Sequence, residues 1–364
     1  EYYWRVDNKV RLARIARLLG NLNWRKSYYD HAASYYQQAL DLAVEIGDRV
    51  FQAVALGDLG VLHTDSSAFD EAVDYLQRAL QIDQELSNRE GVARHTHNIG
   101  RIYRLQEKWA EAMTFFNRAL ETAEELGLRR GISVCLNNMG IVYARTGRFE
   151  EAIAYYKRAM DIDRELGIRE GYANNVGNLG NVYRKMGRLD EAEQCYREAL
   201  DIALELGHQE GIARHQLNIA ALLKDRQEWP AALDAYSESI ETYRRFDDPY
   251  SLSAALILKA EVCLAVGSYE EAAALNQEGL ALAESVQRKD YTFNGRVQRA
   301  QLAAANGDKQ AAQQQLREMF DCATETAEEA RLHDELWQIG AGEPHRRAAV
   351  ELYKELSERT PDIA

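Results

Sequence analysis

Apolar positions recur along this chain with helical spacing, and the whole pattern restarts every 40 residues. In residues 130–147, RGISVCLNNMGIVYARTG, the residues Ile132, Cys135, Leu136, Met139, Ile141 and Val142 suit a helix with a broad apolar face. Gly147 suits its end, because glycine tolerates positive φ. In residues 148–167, RFEEAIAYYKRAMDIDRELG, a second apolar face runs through Phe149, Ala152, Ile153, Tyr156, Ala159, Met160 and Ile162 until Gly167. Each unit therefore reads as two antiparallel helices, A then B.

The small residues fix the register. Glycine stands at 20, 60, 100, 140 and 180, and alanine continues the series at 220, 260 and 300. Alanine follows twelve positions later in all eight units, from Ala32 to Ala312, and again at Ala39, Ala79, Ala119, Ala159 and Ala199. Glycine inside a helix costs about 1 kcal/mol against alanine, so its recurrence implies that a larger side chain would clash. Gly140 and Ala152 are expected to let helices A and B approach closely, with Tyr143 and Tyr156 filling the space between hairpins. A fixed period of this length predicts an all-α solenoid of stacked helical hairpins.

Small residue, aromatic three later, alanine at twelve, aromatic at sixteen and alanine at nineteen is a specific pattern. One unit carries it as Gly180, Tyr183, Ala192, Tyr196 and Ala199. The sequence resembles the tetratricopeptide repeat family over nearly its whole length. It departs from the usual unit of about 34 residues and lacks the proline that closes helix B. In this the chain is similar to the repeats of Pins/LGN-type adaptors and of bacterial MalT-like signal-transduction regulators. The resemblance implies a right-handed superhelix of about eighteen helices, with helix A lining a concave groove. Residues 1–325 would form about eight 40-residue hairpins, and 326–364 a shorter capping hairpin. The aromatic start, EYYWRVDN, would cover the first hairpin or belong to an interface.

Chemistry narrows the picture mainly by exclusion. There is no phosphate loop, dinucleotide fingerprint, zinc-protease helix or nucleophile elbow, and no cofactor is expected. His95 and His97 lie two apart and point to different faces, so a structural role is expected for His95 and for His215 in the same register. Cys135, Cys195, Cys263 and Cys322 are isolated and read as buried small apolar groups in a reducing, cytoplasmic setting. The net charge of −14 argues against binding nucleic acid, and no apolar run is long enough for a membrane span. The chain begins at Glu1 without Met, which raises the expectation of a piece of something longer.

The residues that suggest a ligand lie on helix A. Two positions before the small residue stand Asp58, Asn98, Asn138, Asn178 and Asn218. A row of asparagines offers a donor and an acceptor at regular intervals and can hold an extended peptide backbone. In the resembled families such ladders hold peptide main chain. Arg94, Asn98 and Arg101 share one helix face. Arg145 repeats a basic position beyond Asn138, and Asn174, Asn178, Asn181, Arg184 and Lys185 extend the set, as do Arg214 and Lys224. Acid is then expected on helix B and the outside, and an extended, acidic protein segment in the groove. Glu165 and Arg169 could pair between units. The principal reading is an interaction scaffold without enzymatic activity. The alternative is a sensor or autoinhibitory domain of a larger regulator, such as an ATPase, transcription factor or enzyme, whose missing part would be the partner.

Overall fold

The computed structural model describes residues 2–26, 28–323 and 326–359. The side chains of the aromatic start through Asp7, and that of Cys322, lie outside the described residues. Among the described residues there are eighteen α-helices, one 3₁₀ turn and no strand. The chain divides into two compact units, the turn at 147–149 grouping with the second.

The first unit holds α1 (Tyr2–Arg25), α2 (Tyr29–Ile46), α3 (Arg49–Asp65), α4 (Phe69–Glu85), α5 (Arg89–Leu105), α6 (Trp109–Glu125), α7 (Arg129–Arg145) and α8 (Phe149–Leu166). The second holds α9 (Arg169–Lys185), α10 (Leu189–Leu206), α11 (Gln209–Asp225), α12 (Trp229–Arg245), α13 (Pro249–Ala265), α14 (Tyr269–Ser285), α15 (Lys289–Ala305), α16 (Lys309–Glu318), α17 (Thr326–Gln338) and α18 (Glu343–Arg359). Within each unit successive helices pack as hairpins, such as α5 on α6 and α11 on α12, and helix B of one hairpin packs on helix A of the next. The A helices also touch one another, α5 against α7 and α9 against α11.

The register glycines sit where rings cross. A Cβ on Gly140 would lie 2.7 Å from Tyr156 Cε1, and one on Gly180 would lie 2.7 Å from Tyr196 Cε1. Tyr156, rather than Ala152, is therefore the close neighbour of Gly140, although Ala152 is fully buried in the same hairpin. Both rings are buried, so a larger residue has nowhere to push them.

Gly147 and Gly167 end their helices with φ of 78° and 68°. Ser67, Ser87, Glu107, Gln227, Asp247 and Gln287 take the same left-handed conformation at matching positions without glycine's freedom.

Glu165 pairs with Arg129, not with Arg169, and Arg169 pairs with Glu205. Lys9–Glu45, Arg49–Glu85 and Arg89–Glu125 repeat that contact 36 residues apart. This spacing joins the start of helix A to the end of helix B in one hairpin. These pairs are largely exposed, so each contributes about 0–1 kcal/mol.

Cys135 and Cys263 are buried, while Cys195 is only half-buried. Burial pushes the Cys135 thiol up to about 12, with Glu124 adding to the effect. No helix among the described residues is long and apolar enough to cross a membrane.

Candidate functional site

In the first unit, α5, α6 and α7 line an open cavity of about 810 Å³. Helix α5 contributes Arg94, His97, Asn98 and Arg101, and α7 contributes Val134, Cys135 and Asn138. Helix α6 adds Ala119 and Ala123, whose small side chains leave the volume open. The 3–4-residue spacing that puts Arg94, Asn98 and Arg101 on one helix face aims them all at this space. Four residues singled out in the sequence thus share one site.

The amide of Asn138 is oriented by its neighbours. Its Nδ2 donates to the carbonyl of Val134 at 3.0 Å and lies 3.1 Å from His97 Nε2. Burial lowers the His97 pKa to about 4, with Arg101 adding to the effect, so the ring is neutral near pH 7. A neutral imidazole whose Nε2 accepts takes the second amide hydrogen of Asn138. That leaves the Asn138 side-chain oxygen as its remaining polar group. Arg94 is exposed, whereas Arg101 approaches Asp65 at 3.5 Å.

Other predicted residues have structural partners. Asp58 pairs with Arg17 across 41 residues. Burial raises the Asp58 pKa and the Arg17 contact opposes that rise. In the second unit, Arg214 donates to Asn174 of the preceding repeat. The Tyr196 hydroxyl donates to Asn181 at 2.8 Å. Arg184 pairs with Asp225 at 2.8 Å, and Lys224 with Glu261 at 3.0 Å. Asn178 and Asn218 are half-buried on α9 and α11, Lys185 is exposed, and Arg145 is exposed on α7 of the first unit. Acid is therefore not confined to helix B. Asp58, Asp65 and Asp225 stand on A helices, where a half-buried guanidinium needs a counter-charge more than an exposed surface does.

Beyond the last asparagine the register changes use. Leu258 is apolar, and the buried Gln298 donates to the carbonyl of Ile257 at 2.9 Å while its Oε1 accepts from Asn276 at 2.9 Å.

The two register histidines serve packing. A Cβ on Gly57 would lie 2.4 Å from His95 Cε1, and one on Gly177 would lie 2.7 Å from His215 Cε1. His95 Nε2 lies 3.1 Å from the buried Asp83. No group of three or more His, Cys, Asp or Glu side chains among the described residues could hold a metal ion.

The tetratricopeptide repeat profile matches residues 11–85, 91–165 and 171–245. The chain belongs to the tetratricopeptide repeat family. As such it is a protein-interaction scaffold. A profile described as anaphase-promoting complex subunit 5 matches residues 297–340. No curated protein sequence matches the chain.

Among solved structures, this tetratricopeptide chain is similar to a Rap protein complexed with competence and sporulation factor. The identity is 13%, covering 96% of this chain and 98% of that one, with a TM-score of 0.67. It is similar to the Rap conjugation gene regulator of plasmid pLS20 in complex with the Phr* peptide, at 13% identity, 97% and 98% coverage and a TM-score of 0.64. It is also similar to the apo quorum sensor NprR from B. thuringiensis, at 14% identity, 97% and 99% coverage and a TM-score of 0.63. At these identities the likeness concerns the fold.

Proposed function

We propose that the first unit binds an extended, net-acidic segment of another protein in the cavity between α5 and α7. The observation that carries this reading is the convergence of Arg94, Asn98, Arg101 and Asn138 on one open volume. Asn138 presents its amide oxygen to a peptide N–H, because His97 and Val134 take its hydrogens. Arg94 supplies charge for an acidic side chain. Asn178 and Asn218 extend the same chemistry on α9 and α11 of the second unit, considered by itself. The scaffold works by binding, without turnover. The pLS20 regulator, solved with the Phr* peptide, supports a peptide as the ligand class. A second reading, a sensor module of a larger regulator, draws on the neighbours described as a gene regulator and a quorum sensor.

Neutral hydrogen bonds contribute about 0.5–1.5 kcal/mol each and charged ones about 1.5–3. The asparagine therefore sets register and the arginines carry more of the affinity. A selection of random displayed peptides against the chain should enrich Asp and Glu. Arg94→Glu should weaken the selected peptides strongly and Asn138→Ala moderately, with affinity falling as salt rises. Selected peptides without acidic enrichment, bound equally by both variants, would overturn the reading.

A further inference from the structure

Three residues of the first unit depart from contacts that are made twice elsewhere in the array. In two places a donor near the end of helix A meets an aspartate 41 residues on. Trp24 Nε1 donates to Asp65 at 2.9 Å, and Arg184 donates to Asp225 at 2.8 Å. Arg104 occupies the same position on α5, and 41 residues on stands Arg145. A second contact is missing at the same place. In two hairpins the buried tyrosine of helix B donates to an asparagine of helix A, Tyr36 to Asn21 at 2.7 Å and Tyr196 to Asn181 at 2.8 Å, whereas Tyr236, like Tyr156, has no such asparagine. For Tyr156 the matching position is Ile141, which has no acceptor.

The register that sets Arg184 against Asp225 sets Arg104 against Arg145, both arginines act electrostatically on Tyr156, and all three lie in the first unit. Arg104 Nε is buried without a hydrogen-bond partner, and among the described residues neither arginine makes an ion pair. Burial pushes the Arg104 guanidinium down to about 10, and Arg101 and Arg145 push it further the same way. A half-buried, unneutralised cation with a second cation in register is costly unless an anion completes it. Arg101 also lines the cavity, so this cluster adjoins the peptide face.

We propose that Arg104, Arg145 and the Tyr156 hydroxyl form a binding site for a phosphate monoester. Two guanidinium forks and a phenolic O–H supply donors for three oxygens, and the two uncompensated charges match a dianion. A carboxylate has only two oxygens and leaves one guanidinium uncompensated. The source of the ester, a phosphorylated side chain of the bound segment, rests on the peptide-binding reading above. The anion site itself does not.

The test uses the full chain and three probes: inorganic phosphate, a phosphoserine peptide carrying a selected acidic sequence, and the same peptide with serine. Calorimetry at fixed ionic strength should show phosphate binding, and the phosphopeptide binding at least about tenfold tighter than the serine peptide. Arg145→Asp and Arg145→Gln should remove that gain, and Tyr156→Phe should reduce it severalfold. Arg49→Ala, on the exposed ladder, is the control. Arg145 is exposed, so its variants should fold. If neither phosphate nor the phosphopeptide gains anything over the serine peptide, the site is overturned, while binding of the serine peptide would still uphold the peptide face. Phosphate binding without a gain for the phosphopeptide would uphold the anion site and overturn its link to the bound segment.

Discussion

Helices α5 and α7 of the first unit and α9 and α11 of the second share one register, and where the first pair carries Arg145 the second carries Asp225. Beside Arg184 stands Asp225, and the pair is closed at 2.8 Å. At the position matching Asp225, Arg104 has Arg145; Nε is buried without a partner in both Arg104 and Arg184, so the two differ in the counter-charge alone. The tyrosines differ in parallel, Tyr196 bonded to Asn181 whereas Ile141 occupies the matching register position for Tyr156. In a repeat array the backbone cost of such a position is the same in every unit. Replacing one counter-charge therefore turns a structural ion pair into an unfilled anion site without altering the fold.

The largest expected effect separates the units by pH. His215 is buried, and the position matching Asp83 in its register is Ala203. Burial, with Arg214 adding to it, lowers its folded pKa to about 4 from 6.5. The unfolded chain then takes up the proton first, so this stability is fully present above pH 6.5 and is lost as pH falls toward 4. The loss is about 1.4 kcal/mol per pH unit. On α5 burial lowers two rings, His95 and His97, each to about 4, although His95 has Asp83 at 3.1 Å. Hydrogen exchange should therefore show α5 opening on acidification ahead of α11, and α11 opening first would break the contrast.

Packing should not distinguish the units. Gly140→Val and Gly180→Val each drive a methyl into a buried tyrosine, and each should cost about 1–3 kcal/mol in thermal or denaturant unfolding. A large loss in one unit and none in the other would show that the hairpins are not equivalent.

Charge should distinguish them. Asp225→Ala strands Arg184 and should destabilise the chain by about 1–2 kcal/mol. Arg145→Asp supplies the counter-charge that Arg104 lacks and should stabilise it by about 0.5–1 kcal/mol. Opposite signs in the melting temperature are the expected outcome, and equal signs would contradict the register argument. Smallest of all, Arg49→Ala and Arg169→Ala on the exposed ladders should each shift stability by less than about 1 kcal/mol.

The hairpins were legible because burial repeats locally. The apolar face of 130–147, the glycine at 140 and the terminators Gly147 and Gly167 each need only a few neighbouring residues to be read. The charge partners were less legible because they lie 36 and 41 residues away. Helical spacing put Arg184 on a ligand face, yet its carboxylate is Asp225 in the next repeat. Reading the acid column of one repeat against the basic column of the last would have found Arg17–Asp58, Arg184–Asp225 and the reversed Arg104–Arg145. The amide of Asn138 could not be oriented from sequence, because its direction depends on a neutral His97 held by burial. Gln298 turned inward because Asn276 and the Ile257 carbonyl needed partners there.

The most direct test is a reciprocal exchange of the distinguishing charge. Arg145→Asp and Asp225→Arg are combined in one chain, and phosphate is titrated into it and into the wild type while hydrogen exchange is followed helix by helix. Phosphate should protect α5 and α7 in the wild type, lose that protection in the exchanged chain, and protect α9 and α11 there instead. Protection that stays on α5 and α7 after the exchange, or that appears on neither pair in the wild type, would contradict an anion site set by Arg145.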